Sequence, residues 1–214
     1  MRKNLFIAFE GIDGCGKSTQ AKLLAENLEK AGHSVYLTAE PTDSPIGKMI
    51  RDIFKHKMEA HDKTIAALYV ADRLDHLLNE TNGVLKKMKE GYTVITDRYY
   101  FSSYAYHSVH MPMEWVIQAN SLSAELLRPD LNIYIDISPE VSMKRLNKGR
   151  NIIELYESVD NLRQVREKYL EAFDLLKLQE NIYKTDGNRQ PEVIAEDIWK
   201  EISQMGVLSN SGKV

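Results

Sequence analysis

The sequence predicts an α/β fold, a doubly wound, mainly parallel five-stranded sheet with helices on both faces. Three observations carry that reading. Short β-branched or aromatic runs alternate along the chain with longer helical patterns. The helical patterns bear boundary signals, with glycine just past two ends and proline at the first position of two starts. A glycine-rich turn joins the first strand directly to the first helix. Parallel neighbours need crossover connections, so strands separated by helices imply a sheet covered on both faces.

In chain order, Leu5 to Glu10 reads as the first strand and Lys17 to Ala31, closed by Gly32, as the first helix. Val35 to Ala39 is the second strand. Asp62 to Glu90, closed by Gly91, reads as one long helix, and Thr93 to Asp97 as the third strand. Leu131 to Ile137 is the fourth strand, followed by a helix start at Ser138-Pro139-Glu140. Val159 to Leu178 is amphipathic at helical spacing, Ile182 to Thr185 is the fifth strand, and Gln190-Pro191-Glu192 opens a last helix. Residues 1–205 are expected to form one domain, with 206–214 a small-residue, flexible C-terminal tail.

Composition narrows the function classes. The 214 residues are 43% hydrophobic and 28% charged, the balance of a folded protein and neither a disordered nor a fibrous one. Lys plus Arg number 28 against 31 Asp plus Glu, a net charge of -3, so no basic excess exists to hold a nucleic-acid polymer or an anionic membrane. The single cysteine, Cys15, can form no internal disulfide, and the apolar run after Met1-Arg2-Lys3 is too brief for a signal peptide. Nothing approaches the roughly 18 consecutive apolar residues of a membrane span. A cytoplasmic protein is expected.

Gly11-Ile12-Asp13-Gly14-Cys15-Gly16-Lys17-Ser18 matches the phosphate-binding pattern G-x-x-x-x-G-K-[ST] at the strand-to-helix junction where that pattern has meaning. Glycines let successive N–H groups point at phosphate oxygens, and the helix N-terminus adds partial positive charge. Lys17 is expected to reach the β and γ phosphates and Ser18 to hold Mg²⁺, with Thr19 closing the ATP-binding run. Cys15 reads as a small loop residue rather than a nucleophile. Asp97-Arg98 stands at the carboxyl end of the third strand, where a doubly wound sheet opens its ligand crevice. Adjacent residues of an extended strand point to opposite faces, which argues against a simple Asp97–Arg98 ion pair.

Phe9-Glu10-Gly11, Glu40-Pro41-Thr42, Ala71-Asp72-Arg73 and the string from Asp97-Arg98-Tyr99 to Ala105-Tyr106, in this order behind a phosphate loop, resemble the thymidylate kinase family over residues 5 to about 200. The resemblance implies a P-loop, nucleoside monophosphate kinase-like fold with strand order 2-3-1-4-5 and a short lid at about 148–157. It implies transfer of the γ-phosphoryl group of ATP to dTMP with Mg²⁺. It places Asp13 near the acceptor's 3′-hydroxyl and attacking phosphate, Arg98 on that phosphate, and Arg73 on the thymine edge. Guanidinium forks suit both phosphate and carbonyl partners.

Tyr69, one helical turn before Arg73, is the expected stacking platform for the base. Glu40 and Pro41 fall in the loop where this family packs the acceptor base. Arg51 lies in the following helix within reach of the acceptor phosphate, with a solvated surface arginine as the alternative. By resemblance Ser103 reads the base N3, beside Ser102 and His107, and Tyr106 crowds C2′ against ribonucleotides. Asp97 is the second candidate Mg²⁺ holder. Tyr99, Tyr100 and Tyr104 are read as core.

The basic stretch Met143 to Arg150, followed by Glu154-Leu155-Tyr156-Glu157, resembles the family's lid, with Arg145 against adenine. Gly14 occupies a position where part of the family carries arginine, which shifts the role of a second catalytic cation to Arg150. Four positions depart from the family pattern: Ala39, Ser103, His107 and Leu155. The resemblance also implies a homodimer, with apolar positions of 62–90 as a candidate face.

Overall fold

The computed structural model describes residues 4–147, 155–156 and 158–205. The strands are β1 Phe6–Glu10, β2 Val35–Ala39, β3 Thr93–Asp97, β4 Leu131–Asp136 and β5 Ile182–Asp186. They form one sheet in the order β2-β3-β1-β4-β5, every neighbouring pair parallel. The expected strand order is the one found. β1, in the middle, is buried along its whole length, whereas the edge strands β2 and β5 are only half-buried. That is why β1 reads as an unbroken apolar run and the edges alternate.

The helices among the described residues are α1 Lys17–Lys30, α2 Pro45–Phe54, α3 Asp62–Leu78, α4 Val84–Lys89, α5 Tyr100–His107, α6 Met113–Ala119, α7 Ser121–Leu126, α8 Pro139–Leu146, α9 Val159–Leu176 and α10 Pro191–Gln204. Ser44, Ser138 and Ser158 cap α2, α8 and α9, each side chain accepting a backbone N–H three residues on. Pro139 and Pro191 follow their helix starts as expected, and Pro45 does the same at α2.

The long helix expected over Asp62 to Glu90 is a correction: it is two helices, broken at Asn79 to Gly83. Asn79 Oδ1 accepts the N–H groups of Thr81 and Asn82, so the side chain replaces the helical ladder with a local turn. The chain then folds back so closely that a Cβ on Gly83 would stand 2.4 Å from the Asn79 carbonyl oxygen. Helices α5, α6 and α7 are further elements that periodicity does not reveal, and for α5 the reason is plain. All eight of its residues are buried, so it has no polar face to announce it.

The register aligns the carboxyl ends of the central strands: Phe9 pairs with Asp97 and Glu10 with Tyr134. The chain after β1 crosses to one side and the chain after β3 to the other, so the loops leaving them diverge at one edge of the sheet. Such a switch point opens a crevice.

Candidate active site

The loop from Gly11 to Ser18 leaves β1 and wraps into α1. Gly11 has φ +141°, and a Cβ there would lie 2.7 Å from the Ile135 carbonyl oxygen, so only glycine lets the loop graze β4. Gly14 has φ +71° and faces α8, where a Cβ would meet Ser142 O at 3.1 Å. Ser142 also donates to the Asp13 carbonyl, so α8 braces the loop from outside. Ile12 and Cys15 join the hydrophobic core and offer the cleft their backbone. Burial raises the Cys15 thiol above its ordinary range despite Lys17, which fits its reading as a loop residue.

Lys17 is buried, its Nζ donating to the carbonyls of Gly11 at 3.0 Å and Ile12 at 3.1 Å. Ser18 is exposed at the cleft and donates to Asp97, so the two expected Mg²⁺ holders touch. Asp97 and Arg98 do not pair with each other. Arg98 has φ +76°, a conformation uncommon outside glycine, in which its N–H donates to Phe9 O. That turn sends the guanidinium across to β1's loop, where it meets Asp13 at 2.5 Å, Ser102 at 3.1 Å and the face of Tyr106 at 5.0 Å.

Tyr106 donates its hydroxyl to Asp13 at 2.7 Å and accepts the Asp13 N–H at 3.1 Å. Partial burial works against ionising Asp13, but Arg98 and Lys17 outweigh it and hold the carboxyl below its usual range.

Two clefts meet at this point. One, of about 430 Å³, is lined by Gly14, Gly16, Lys17, Ser18, Thr19, Glu40 and Asp97. The other, of about 240 Å³, is lined by Pro41, Arg51, Tyr69, Ser102, Ser103, Tyr106 and His107, all expected from sequence, together with Ile50, Phe54, Lys55 and Tyr156, which were not. Asp13 and Arg98 belong to both walls. The unexpected residues carry no polar motif; three sit on or just after α2, and Tyr156 comes from the far side of the sequence.

The second cavity has an aromatic frame. Tyr69 lies 5.2 Å from the His107 ring and edge-on to Phe54, which meets Tyr156 at 5.1 Å. Burial pushes His107 down to about 3, helped by Arg73 and His110, so its imidazole is neutral. It makes no hydrogen bond to another described residue, and its Nδ1 is buried. Arg51 donates to the carbonyls of Pro41 and Thr42 and pairs with Asp43 at 3.2 Å, so it braces the loop it was expected to reach past.

Arg73 is the main correction. It is fully buried one layer behind the cavity, and its donors go to Glu40, Ser103, Asn120 and the Tyr99 carbonyl. These four hydrogen bonds turn the guanidinium into the fold, where it shapes the cavity floor through Ser103. Glu40, expected at the acceptor base, lies with Arg73 at 2.6 Å and with His76 at 3.1 Å, and reaches only the phosphate-loop cleft. Asp72 fastens the same loop by accepting from Thr42 and Ser44.

Arg145 donates to Gly14 O, Cys15 O and Gly187 O, bridging the phosphate loop and the turn after β5. Lys148, Arg150, Glu154, Glu157 and most of the expected lid, like the tail 206–214, lie outside the described residues. Of that segment, Leu155 is exposed and Tyr156 is buried, its hydroxyl donating to Asp62 at 3.0 Å.

A phosphate loop on one wall, an aromatic-lined cavity on the other and a shared carboxylate–guanidinium pair between them define a P-loop kinase that brings two ligands together. Comparison with known proteins narrows this further. The family model described as thymidylate kinase matches residues 9–198. A probable thymidylate kinase of Caldivirga maquilingensis is 45% identical, over 78% of this chain and 79% of that protein. Those of Pyrococcus horikoshii and Methanosphaera stadtmanae are 40% and 38% identical, covering 81% and 92% of this chain and 84% and 97% of theirs. The chain belongs to the thymidylate kinase family.

Proposed function

We propose that the protein transfers the γ-phosphoryl group of ATP to dTMP, giving ADP and dTDP, across the junction of the two clefts. The observation that carries this reading is that Asp13 and Arg98 stand in both walls, so a donor phosphate on the loop and an acceptor phosphate in the cavity converge on one guanidinium. Little covalent chemistry falls to the protein in phosphoryl transfer; positioning and charge stabilisation do the rest.

ATP's phosphates take the backbone N–H groups of residues 11–18, with Lys17 at the β and γ phosphates and Arg145 beside the base. In the acceptor cavity Tyr69 stacks on thymine, Ser103 and the neutral His107 meet its polar edge, and Tyr106 closes on the sugar. Arg98 takes the acceptor phosphate and Asp13 orients both. Arg51 supports the Pro41 loop from the same wall. Arg150 is assigned as the second cation on its place in the sequence alone.

Ser18 and Asp97 fit Mg²⁺. Two oxygen donors at the mouth of the loop, with no cluster of three or more acidic, His or Cys ligands among the described residues, suit an ion that keeps most of its sites for water and phosphate. When bound, the ion neutralises charge on the β and γ oxygens. The protein is assigned as one kinase domain acting in the cytoplasm, where both nucleotides are available. No helix among the described residues is long and apolar enough to cross a membrane. The homodimer face is assigned to α3, α6 and α7, which pack together and expose Leu78, Trp115 and Leu122.

One coupled assay of ADP release tests the reading, with dTMP, dUMP, dCMP and dGMP offered in turn. dTMP is expected to be the preferred acceptor; ADP release independent of any acceptor, or preference for dCMP or dGMP, overturns it.

A further inference from the structure

β1 ends in a carboxylate that none of these roles uses. Glu10 is fully buried, and three donors from different parts of the chain converge on it: the Tyr99 N–H at 2.9 Å, the Ser102 hydroxyl at 2.6 Å and the Tyr169 hydroxyl at 3.0 Å. Ser102 in turn accepts an N–H of Arg98 at 3.1 Å. A serine hydroxyl has one proton. With that proton given to Glu10, Ser102 can only present lone pairs to Arg98.

We infer that Glu10 is a positioning residue for phosphoryl transfer: its carboxylate fixes Ser102 as an acceptor, and Ser102 together with Asp13 holds Arg98 at the junction of the clefts. This rests on the reading of Arg98 as the acceptor-phosphate residue. The two anchors on Arg98 grip different nitrogens, Ser102 on one and Asp13 on the other, so losing either lets the fork rotate.

The arrangement makes Arg98 responsive to proton uptake. A protonated Glu10 must donate to Ser102 or Tyr169, and the Ser102 proton then turns toward Tyr169 or toward Arg98, where it would meet another donor. Burial pushes the Glu10 carboxyl up to about 7, against the opposing pull of Ser102, Arg98, the Tyr99 N–H and Tyr169. The groups around it are the cation Arg98, Tyr99 beside it, Ser102 and Tyr104 of α5, Tyr169 of α9, Arg73 of α3, and Tyr134 at the paired position of β4. The tyrosines among them titrate above their ordinary range, which leaves Glu10 as the member of the cluster that changes charge near neutral pH.

The test is kcat at saturating ATP and dTMP from about pH 6 to about pH 9 for wild type, Glu10→Gln, Tyr169→Phe and Arg98→Ala, with cooperative melting as the check of folding. Substrate phosphates also titrate near pH 6, and comparison between variants cancels that contribution. Wild type is expected to show a limb rising through about pH 7. Glu10→Gln loses the limb and is slower by roughly tenfold at high pH, the scale of one charged hydrogen bond, with the KM for ATP unchanged. Tyr169→Phe keeps the limb but moves its midpoint upward, because the carboxylate has lost one donor.

A folded Glu10→Gln enzyme with the wild-type rate and limb overturns the proposal, as does a Tyr169→Phe limb that stays in place. The second result decides if the glutamine variant does not fold. An Arg98→Ala enzyme as fast as wild type overturns the underlying reading of Arg98; a dead Arg98→Ala beside a wild-type-like Glu10→Gln overturns the proposal alone.

Discussion

Arg73→Ala should act on stability before it acts on substrate affinity. The guanidinium and the Glu40 carboxylate it meets at 2.6 Å are essentially without solvent exposure. Removing the cation leaves a buried carboxylate whose remaining ionisable partner is His76, at 3.1 Å, and breaking a buried pair in this way costs about 3 to 5 kcal/mol. For a chain of this size each kcal/mol lowers Tm by about 2 to 4 °C, so the expected drop is about 6 to 20 °C.

The sign with pH is set by Glu40. Burial opposes its ionisation, but Arg73 and His76 win and hold it below the usual carboxylate range. In the wild type it therefore contributes stability above its unfolded pKa, and that contribution disappears as pH falls through the folded value. Without Arg73 the carboxyl moves upward instead and takes up a proton more readily as pH falls, so the penalty should be smaller at pH 5 than at pH 8. Calorimetric melts at both pH values measure it. A loss under about 1 kcal/mol, or an equal loss at both, would refute the account, since an exposed arginine at a base edge predicts no such cost. The double variant Arg73→Met, Glu40→Gln should recover most of the lost stability, because two neutral side chains leave no orphan charge.

Lys17→Ala should lower kcat by on the order of 10²- to 10³-fold while leaving the melt nearly unchanged, since the hydrogen bonds of Nζ stay within its own loop, to the Gly11 and Ile12 carbonyls and Cys15 Sγ; wild-type turnover would sink the phosphate-loop assignment. Tyr106→Ala should narrow the preference for dTMP over its ribo counterpart, and an unchanged ratio of kcat/KM values removes the steric role. Gly14→Ala should cost about 1 to 2 kcal/mol from its left-handed φ and slow turnover as Cβ presses on Ser142; a variant as active and stable as wild type would show that α8 does not brace the loop.

Much of this molecule is local in origin and so is readable along the chain. The phosphate loop depends on a strand end, glycine torsions and a helix start that are contiguous from Phe9 to Ser18, and short-range chemistry of that kind survives without any knowledge of the fold. The strands were legible because the central ones bury continuous apolar runs and the half-buried edge strands are rich in β-branched and aromatic residues, and the string from Asp97 to Tyr106 because its residues are adjacent. The order of the strands came from resemblance, which the sheet reproduces.

What depended on the packed structure is every property set by partners distant in sequence. Whether Arg73 faces ligand or core is decided by Glu40, Tyr99, Ser103 and Asn120, between 26 and 47 residues away, and no spacing rule carries that information. The break at Asn79 came from a side chain outcompeting the helix for two backbone donors. The fully buried α5 was silent because periodicity needs a wet face. Glu10 stood in the Phe9-Glu10-Gly11 motif without a role because only the fold gathers Tyr99, Ser102 and Tyr169, between 89 and 159 residues further along, around one carboxylate in a region water does not reach.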